Sequence, residues 1–420
     1  MSSMPHFRCF VSVTLVAAVL ACLLACERPD EKPAEQPAAE KAEATPQTSV
    51  QSTDASPSST NSETPRQEVA PPDSNDLILD NGSRAGLRFE GLRGTPEDPI
   101  VIRPADPSRP IFVMNPTGDW SIELVDCQHV RIQSMQVFNA DAGGVLIQGT
   151  PDSPCLDIAI TASDILPRSS KLDYEIGLRI EHAEDVRVTD VKILHAVEAG
   201  VDVRHARRLR LESLVVQGVG PERYGVRLGT GVENATISQV ACVSLAGEAF
   251  GLGIVDPGEQ ATLERGELEV ACTDVVLSRC STDLGRSPIS LGSVSNVLVE
   301  HCTFMLPSEF VVRTEPAGLG WAAPSGVRMK RNLVEWLPSS LLGIFDPAAR
   351  NAVEELGPNL WWSAELPEML AALGGFPHSD DRQRIDLDPQ MLRDRLQPLN
   401  VESMAFGFRA PVATESPADR

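Results

Sequence analysis

Apolar residues in the middle of this chain recur as apolar, any, apolar, two intervening residues, apolar, any, apolar. Alternation on each side of the step is the period of a β-strand, whose side chains point to opposite faces in turn. Each copy therefore predicts two short strands that meet at a bend. The clearest copies are Val130/Ile132/Met135/Val137, Val186/Val188/Val191/Ile193, Leu209/Leu211/Leu214/Val216, Ala235/Ile237/Val240/Cys242 and Val297/Val299/Cys302/Phe304.

A further strand precedes several copies and opens with glycine, at Gly144, Gly177, Gly200 and Gly225. A unit of about 22–30 residues with three short strands cannot bury its apolar side chains alone, whereas units stacked coil on coil can. We therefore expect an all-β fold, a parallel β-helix. The competing architecture, an antiparallel sandwich, needs hairpin turns, and the only Asn-Gly pair, Asn81-Gly82, lies before the repeats.

Three parts of the chain resemble right-handed parallel β-helix repeat proteins of the pectate-lyase-like superfamily, especially secreted bacterial members without an assigned activity. They are the opening segment at residues 92–103 (LRGTPEDPIVIR), the glycine-opened repeats, and the closing segments at 359–362 and 386–390. The resemblance implies a right-handed solenoid. By analogy with the polysaccharide lyases of the superfamily, the resemblance also implies that a substrate would lie along one exposed strand. It says little about the chemistry of this chain, because one fold carries many functions.

The repeats place the β-helix at residues 75–345 and a C-terminal capping segment and tail at 346–420. Within the β-helix, the wide spacing between the copies that start at 235 and 275 predicts an insertion at residues 245–270. Trp361 and Trp362 are expected to cover the open end, since an uncapped coil exposes an edge prone to pairing.

Residues 1–26 are predicted to be a lipoprotein signal peptide. Arg8 precedes an apolar run at residues 11–25, which is shorter than the ~20 residues of a membrane span. The run ends in Leu-Leu-Ala-Cys, which resembles a bacterial lipobox and makes Cys26 the predicted lipidation site. An ordinary secretory signal or an uncleaved anchor is the alternative.

Residues 27–74 are predicted to form a disordered linker. The segment is rich in Pro, Ser, Thr and Glu, and only Val50 and Val69 are large and apolar. It cannot bury enough surface to offset its chain entropy. Together with Cys26, this predicts an exported protein that is lipid-anchored to the bacterial cell envelope, periplasmic or surface-facing.

The charge balance excludes one class of partner. The 420 residues carry 59 Asp and Glu against 36 Lys and Arg, a formal net charge of −23. A general nucleic-acid binder needs a basic footprint to displace phosphate counterions, so we expect no nucleic-acid partner.

The folded part has six cysteines. We expect mostly buried thiols, because Cys280 and Cys302 fall at inward repeat positions.

Candidate chemistry lies on the outer side of the glycine-opened strands, where the second and fourth residues after each glycine are expected to face solvent. These positions predict an Arg–Asp–Arg column beside a Glu–Arg column, with opposite charges in neighbouring coils. Further polar residues come just before the glycines. The candidate substrate-binding residues are Arg179, Glu181, Asp202, Arg204, Arg227, Glu175, Glu198 and Tyr224.

Two interpretations fit these residues. One is a groove that binds a polysaccharide or another cell-envelope component. The other is a solvated face, or structural module, whose exposed ion pairs stabilise by only ~0–1 kcal/mol each. A polysaccharide lyase or glycoside hydrolase acting on an acidic glycan is the enzymatic alternative. No catalytic residue is assigned, because the required acid, base and cation are not assembled at one place in the sequence.

Metal binding has one candidate group. Asp173, Glu175 and Glu198 are acids that suggest calcium, although no resident cofactor is assigned. His182 and His205 occupy equivalent positions and are expected to stack, without a third ligand for a metal.

A basic stripe occupies one outward position of the second strand in four of the copies, at Arg131, Arg187, Arg210 and Arg328. Such a stripe on an acidic protein suits an acidic glycan or a partner. Pairing with the nearby Asp190 and Glu212 would neutralise it instead, and this pairing is the expected outcome.

Overall fold

The computed structural model describes residues 67–68, 76–116, 118–138, 140–166, 174–221, 223–256, 268–335, 342–362 and 382–384. All of them belong to one compact unit, Ser62–Arg420. The predicted signal peptide with Cys26, the linker apart from residues 67–68, and the closing segment 386–390 lie outside the described residues. In the described part, no helix is long and apolar enough to cross a membrane.

The described strands form three sheets, which the chain visits in turn, and neighbouring strands in each sheet run parallel. The first sheet contains β1 (Gln67–Glu68), β4 (Leu87–Glu90), β7 (Trp120–Val125), β10 (Gly143–Gln148), the start of β12 (Tyr174–Leu194), the start of β13 (Ala196–Glu212), β15 (Tyr224–Leu228), β18 (Glu248–Leu252), β21 (Ile289–Leu291), β24 (Phe310–Thr314) and β27 (Gly343–Phe345).

The second and third sheets complete each coil. The second contains β2 (Asp76–Leu79), β5 (Ile100–Pro104), β8 (Gln128–Gln133), the start of β11 (Cys155–Leu166), the middle of β12, the end of β13, β16 (Val232–Ser238), β19 (Cys272–Ser278), β22 (Val294–Glu300), β25 (Ser325–Lys330) and β28 (Val353–Leu356). The third contains β3 (Ser83–Arg84), β6 (Ile111–Met114), β9 (Met135–Phe138), the ends of β11 and β12, β14 (Val215–Gln217), β17 (Ala241–Val243), β20 (Ser281–Asp283), β23 (Thr303–Met305), β26 (Leu333–Glu335), β29 (Leu360–Trp362) and β30 (Arg382–Arg384).

The core is built from vertical columns of apolar side chains inside the three sheets. One column consists of consecutive register partners that are all buried: Ile132, Ile160, Val188, Leu211, Ile237 and Leu277. Burying one such side chain stabilises by about 1.5–3 kcal/mol, so each coil gains most of its stability from its neighbours. The predicted parallel β-helix is confirmed.

The bend between the second and third sheets falls at the second residue of the two-residue step. That residue has a positive φ in the five copies named above, at Ser134, Asp190, Ser213, Gln239 and His301. It is also positive in three degenerate copies that start at residues 158, 275 and 327, at Ala162, Arg279 and Arg331. A single residue in the left-handed region turns the chain sharply without ending the strands on either side. Another column of left-handed residues occupies the turn position into the second sheet, at His129, Asp185, Arg208, Asn234, Asp274 and Asn296.

The glycine that opens the first-sheet strands is required by packing. A Cβ atom at Gly177 would lie 2.3 Å from Cγ2 of Ile193, and one at Gly200 would lie 2.3 Å from Cγ1 of Val216. The first-sheet backbone therefore approaches the third sheet too closely for any side chain at these positions.

Two boundaries differ from those predicted. Strand β18 occupies part of the predicted insertion, because Phe250 pairs with Val226 on one side and Ile289 on the other. The pattern missed this strand because Ala249 stands where other coils have glycine. The ladders also continue past residue 345 into β28 and β29, with helix α1 (Pro347–Ala352) between β27 and β28.

The cysteines of the described residues are buried, free thiols, as expected: Cys127, Cys155, Cys242, Cys272, Cys280 and Cys302. Burial raises the pKa of Cys127 to about 11 and that of Cys272 to about 12. Because the thiolate is the reactive form, these side chains act as small apolar fillers of the core.

Candidate functional site

Asp202 is the centre of an ion-pair network on the outer side of the first sheet. Its carboxylate is fully buried and accepts hydrogen bonds from Nε of Arg227 at 2.6 Å and from Nε of Arg179 at 3.1 Å. Nε of Arg204 lies 3.3 Å from the same carboxylate. The register stacks Arg179, Asp202 and Arg227 in consecutive coils, so the predicted Arg–Asp–Arg column is present.

Asp256 and Glu198 complete this network. Asp256 lies 2.5 Å from Nη1 of Arg204 and 3.1 Å from Nη1 of Arg227, and Glu198 lies 3.5 Å from the same Nη1 of Arg227. The arginines 179, 204 and 227 thus face the carboxylates of residues 198, 202 and 256, and the network is formally neutral. The sequence did not single out Asp256, because it lies in the segment assigned to the insertion.

The network keeps its buried members charged. Burial alone would raise the pKa of Asp202, but the hydrogen bond and charge of Arg227, with the charges of Arg204 and Arg179, hold it below the usual value. Burial acts to lower the pKa of Arg227, and Asp202 outweighs it, so that this pKa lies above the usual value. Removing one partner of such a pair leaves an uncompensated buried charge.

Some hydrogen-bonding capacity of the arginines remains unused. Arg227 is only 6% exposed, yet its Nη2 has no hydrogen-bond partner in the described part of the chain. Arg179 donates to Asp202 through Nε, and its guanidinium carbon stands 5.9 Å from the ring centroid of Trp120. A buried donor without an acceptor is costly. Nη2 of Arg227 has almost no accessible surface, so a ligand on this face would meet the partly exposed Arg179 and Arg204 first.

The exposure of the candidate residues differs from the prediction. Asp202 and Arg227 were expected to face solvent, but both are buried, whereas Arg179, Glu181 and Arg204 are partly exposed. Glu181 is the register partner of Arg204, but Arg204 forms its ion pairs with Asp202 and with residue 256. Asp202 is buried because the guanidinium groups of the neighbouring arginines cover its carboxylate.

Tyr224 lies beside the network, in the strand that carries Arg227. Its ring packs over Gly251 of the next coil, where an added Cβ would lie 2.5 Å from Cδ1 of the tyrosine. Burial and the charges of Glu315 and Glu248 raise the pKa of Tyr224, which keeps the phenol neutral.

The suggested calcium group is not supported by the described residues. Asp173 and the side chain of Glu175 lie outside them, and Glu198 faces the guanidinium of Arg227 at 3.5 Å, a position unfavourable for a second cation. Among the residues with a described position, no group of three or more His, Cys, Asp or Glu is arranged to hold a metal ion. The predicted stack of His182 on His205 is confirmed, with ring centroids 4.5 Å apart and an interplanar angle of 3°.

A second charged cluster, which the sequence did not reveal, lies farther along the first sheet. Glu248 is 1% exposed, and its Oε1 lies 2.8 Å from Nη1 of Arg313 and 3.7 Å from Nη1 of Arg286. Nη2 of Arg313 lies 2.9 Å from Oε1 of Glu315, and Nε of Arg286 donates to Glu309 at 2.9 Å. Burial raises the pKa of Glu248 and of Glu315 even though Arg313 opposes it.

This cluster shares a column with the network around Asp202. Arg227, Gly251, Ser290 and Arg313 are consecutive register partners. The strand that carries Arg313 lacks the opening glycine, so the repeat pattern gave no sign of it. Both clusters therefore belong to one charged face of the first sheet.

The fold and this face define the class of protein: a parallel β-helix, as its resemblance to the pectate-lyase-like superfamily implied, that carries a partly buried charged surface on one sheet. No protein-family model and no curated protein matches the chain.

Several solved structures are similar to this chain over part of its length. An alginate lyase from Paenibacillus sp. str. FPU-7 is 12% identical, with a TM-score of 0.44, covering 68% of this chain and 91% of that chain. A Dettilon tailspike protein is 11% identical, with a TM-score of 0.43, covering 68% of this chain and 59% of that chain. A mannuronan C-5 epimerase A-module from Azotobacter vinelandii is 11% identical, with a TM-score of 0.39, covering 69% of this chain and 90% of that chain. Similarities this distant transfer no activity.

Proposed function

We propose that the first-sheet face around Arg227 binds an acidic polysaccharide, and that the protein is an exported lipoprotein held on the cell envelope through Cys26. The observation that carries the binding site is the group of three arginines fixed on Asp202, of which Arg179 and Arg204 are partly exposed on this face. A uronate carboxylate is a planar acceptor that matches the geometry of a guanidinium group. A carboxylate bound there would meet the outer guanidinium nitrogens of Arg179, whose Nε is held by Asp202.

Asp202 acts as a positioning residue in this proposal. It holds the Nε atoms of the arginines 179, 204 and 227, so their outer nitrogen atoms are fixed before a ligand arrives. Fixing these side chains in advance lowers the ordering cost of binding. Asp256 and Glu198 offer carboxylates to sugar hydroxyl groups at the edge of the same site.

Arg179→Gln and Arg227→Gln are each expected to weaken binding of polygalacturonate or alginate by about tenfold to a hundredfold, because each removes a charge-assisted hydrogen-bond donor. Isothermal titration with the full chain measures the change. Arg179→Gln is the milder test of folding, since the side chain of Arg179 is 26% exposed and that of Arg227 only 7%.

The matched control is Arg350→Gln, which removes an exposed arginine from α1 and should leave affinity unchanged. If the unaltered chain binds no acidic polysaccharide, or if both site variants bind as the control does, the proposed binding site is wrong.

Cleavage of the polysaccharide is the second candidate function, and the cluster around Arg313 favours it. Glu315 is partly exposed on the same face, and its raised pKa lets it keep a proton to higher pH, as a general acid requires. Glu315→Gln is expected to abolish hydrolysis, measured as new reducing ends, while leaving polysaccharide binding intact. Lyase activity would instead produce an unsaturated-uronate absorbance. If neither product forms, the binding function stands alone.

A further inference from the structure

The outer side of the second sheet carries a separate groove with a volume of about 530 Å³. The residues that line it are Asp185, Val186, Arg187, Arg208, Leu209, Arg210, Asn234 and Thr236. It belongs to the basic stripe and lies on a different sheet from the network around Asp202. We propose that this groove binds sulfate or phosphate ester groups of a polyanion, with Arg187 and Arg210 as its principal ligands.

Arg187 and Arg210 are direct register partners on neighbouring strands. Strands in a sheet are ~4.8 Å apart, and like charges placed directly opposite each other destabilise a sheet. Ala159 and Thr236 hold the flanking positions of the same column, so the fold does not require long cationic side chains there. A retained unfavourable pair is typical of a functional site rather than of packing.

The expected neutralisation of the stripe is only partial. Nη2 of Arg187 lies 3.1 Å from Oε2 of Glu212, as expected, whereas Asp190 makes no such pair with the described residues. Arg210 has neither an ion pair nor a hydrogen bond with any residue that the structure describes, and its side chain is exposed. The charge of Asp185 acts on Arg210 across the groove, but that carboxylate is hydrogen-bonded to Arg208, so Arg210 is the arginine of the groove that is open to a ligand.

Arg208 is held by carboxylates instead. Its guanidinium lies 2.6 Å from Asp185 and 2.5 Å from Glu184. These ion pairs hold Arg208 at the wall of the groove. Arg187 is oriented in the same way by Glu212 and by a hydrogen bond from its Nε to Thr189 at 3.3 Å. Arg187 and Arg208 are therefore held in place by ion pairs, whereas the guanidinium of Arg210 is exposed and has no direct partner among the described residues.

A tetrahedral oxyanion suits this arrangement better than a carboxylate. One guanidinium can occupy both oxygens of a carboxylate, whereas sulfate and phosphate esters have further oxygens for a second, adjacent guanidinium. The exposed hydroxyl of Thr236 and amide of Asn234 stand beside the two arginines as additional donors. Since the whole chain has a formal charge of −23, attraction of a polyanion must be local and must weaken with salt.

The test uses heparin as the source of sulfate esters and inorganic polyphosphate as the source of phosphate, with uncharged dextran as a blank. Arg210→Gln in the full chain is expected to weaken binding by about tenfold, the loss of one charge-assisted contact. Arg328→Gln is the matched control. Arg328 lies in the same column of the same sheet, but it is outside the groove and its guanidinium donates a hydrogen bond to Asn296. Affinity of this control should equal that of the unaltered chain.

Thermal unfolding separates binding from folding. Because Arg210→Gln removes a like-charge contact, its Tm should equal or exceed that of the unaltered chain, whereas a merely structural arginine would lower Tm when replaced. If only heparin binding depends on Arg210, the ligand group is a sulfate ester. If only polyphosphate binding depends on Arg210, the ligand group is a phosphate. The proposal is overturned if neither polyanion binds, if Arg210→Gln binds as Arg328→Gln does, or if only polygalacturonate binding depends on Arg210. If polygalacturonate binding is lost in Arg227→Gln but not in Arg210→Gln, that result tests the first-sheet site and not this groove.

Discussion

Asp202→Asn is expected to destabilise the folded chain by about 3–5 kcal/mol, the range for removing one partner from a buried ion pair. Asparagine keeps the shape of the side chain but removes the charge shared by three guanidinium groups. Arg227 is affected most, because its buried guanidinium then keeps only the partly exposed Asp256 and Glu198 as charged partners. Urea unfolding followed by circular dichroism measures the loss.

Glu212→Gln is the matched control for this substitution. It also removes one negative charge paired with arginine, but Glu212 is 40% exposed and its partner Arg187 is 54% exposed. An exposed pair of this kind stabilises by about 0–1 kcal/mol. Equal losses in the two variants would contradict the special weight given to the buried network.

Asp202→Asn is also expected to change how the stability of the folded chain depends on pH. The pKa of Asp202 is lowered in the folded chain from its usual 3.8, so the unfolded chain binds more protons as the pH falls. The stability contributed by Asp202 is therefore present above the unfolded pKa and is lost as the pH falls through the folded pKa. Urea unfolding repeated from neutral to acidic pH should show a shallower loss of stability below about pH 4 in Asp202→Asn than in the unaltered chain.

Leu211→Ala is expected to cost about 2–5 kcal/mol, because it leaves a cavity that the stacked coils can close only in part. Leu211 is fully buried and stands between Val188 and Ile237 in the interior column. Each coil of a solenoid contacts mainly its neighbours, so the damage should be local. Hydrogen exchange should show faster opening in β13 and in the strands on either side of it.

Leu319→Ala is the corresponding control on the surface. Leu319 is 88% exposed, so the same change of side chain should alter stability by no more than about 0.5 kcal/mol. If Leu211→Ala were as mild as Leu319→Ala, the interior column would not be the source of stability that the register indicates.

The repeat pattern was sufficient to predict the architecture. Period-2 alternation on both sides of a two-residue step can bury its apolar residues only if successive coils stack, and Ile132, Val188 and Leu211 do share one column. The position of the bend followed from the same step, and left-handed residues such as Asp190 and Ser213 lie there. The pattern failed at β18, where Ala249 replaces the glycine that marks the other strands.

The candidate site was only partly predictable. Alternation placed Arg179, Asp202 and Arg227 in one outer column, and that column is present. Their burial was not predictable, because it depends on Asp256 and on how Arg204 folds over the carboxylate. Arg204 and Asp202 lie in the same strand, but Asp256 is 52 residues farther along the chain and reaches Arg204 only because later coils stack on earlier ones.

The sequence by itself determined the bends and the stacked residues of the clear repeats, because these follow from short-range alternation and from the need of each coil for a neighbour. Only the tertiary structure decided which charges are neutralised and which are not. Arg187 finds Glu212, whereas Arg210 and Nη2 of Arg227 find no acceptor among the described residues. The reason is physical: an ion pair depends on distances of a few ångströms between side chains from different coils, and such distances are not encoded in the periodicity of any one coil.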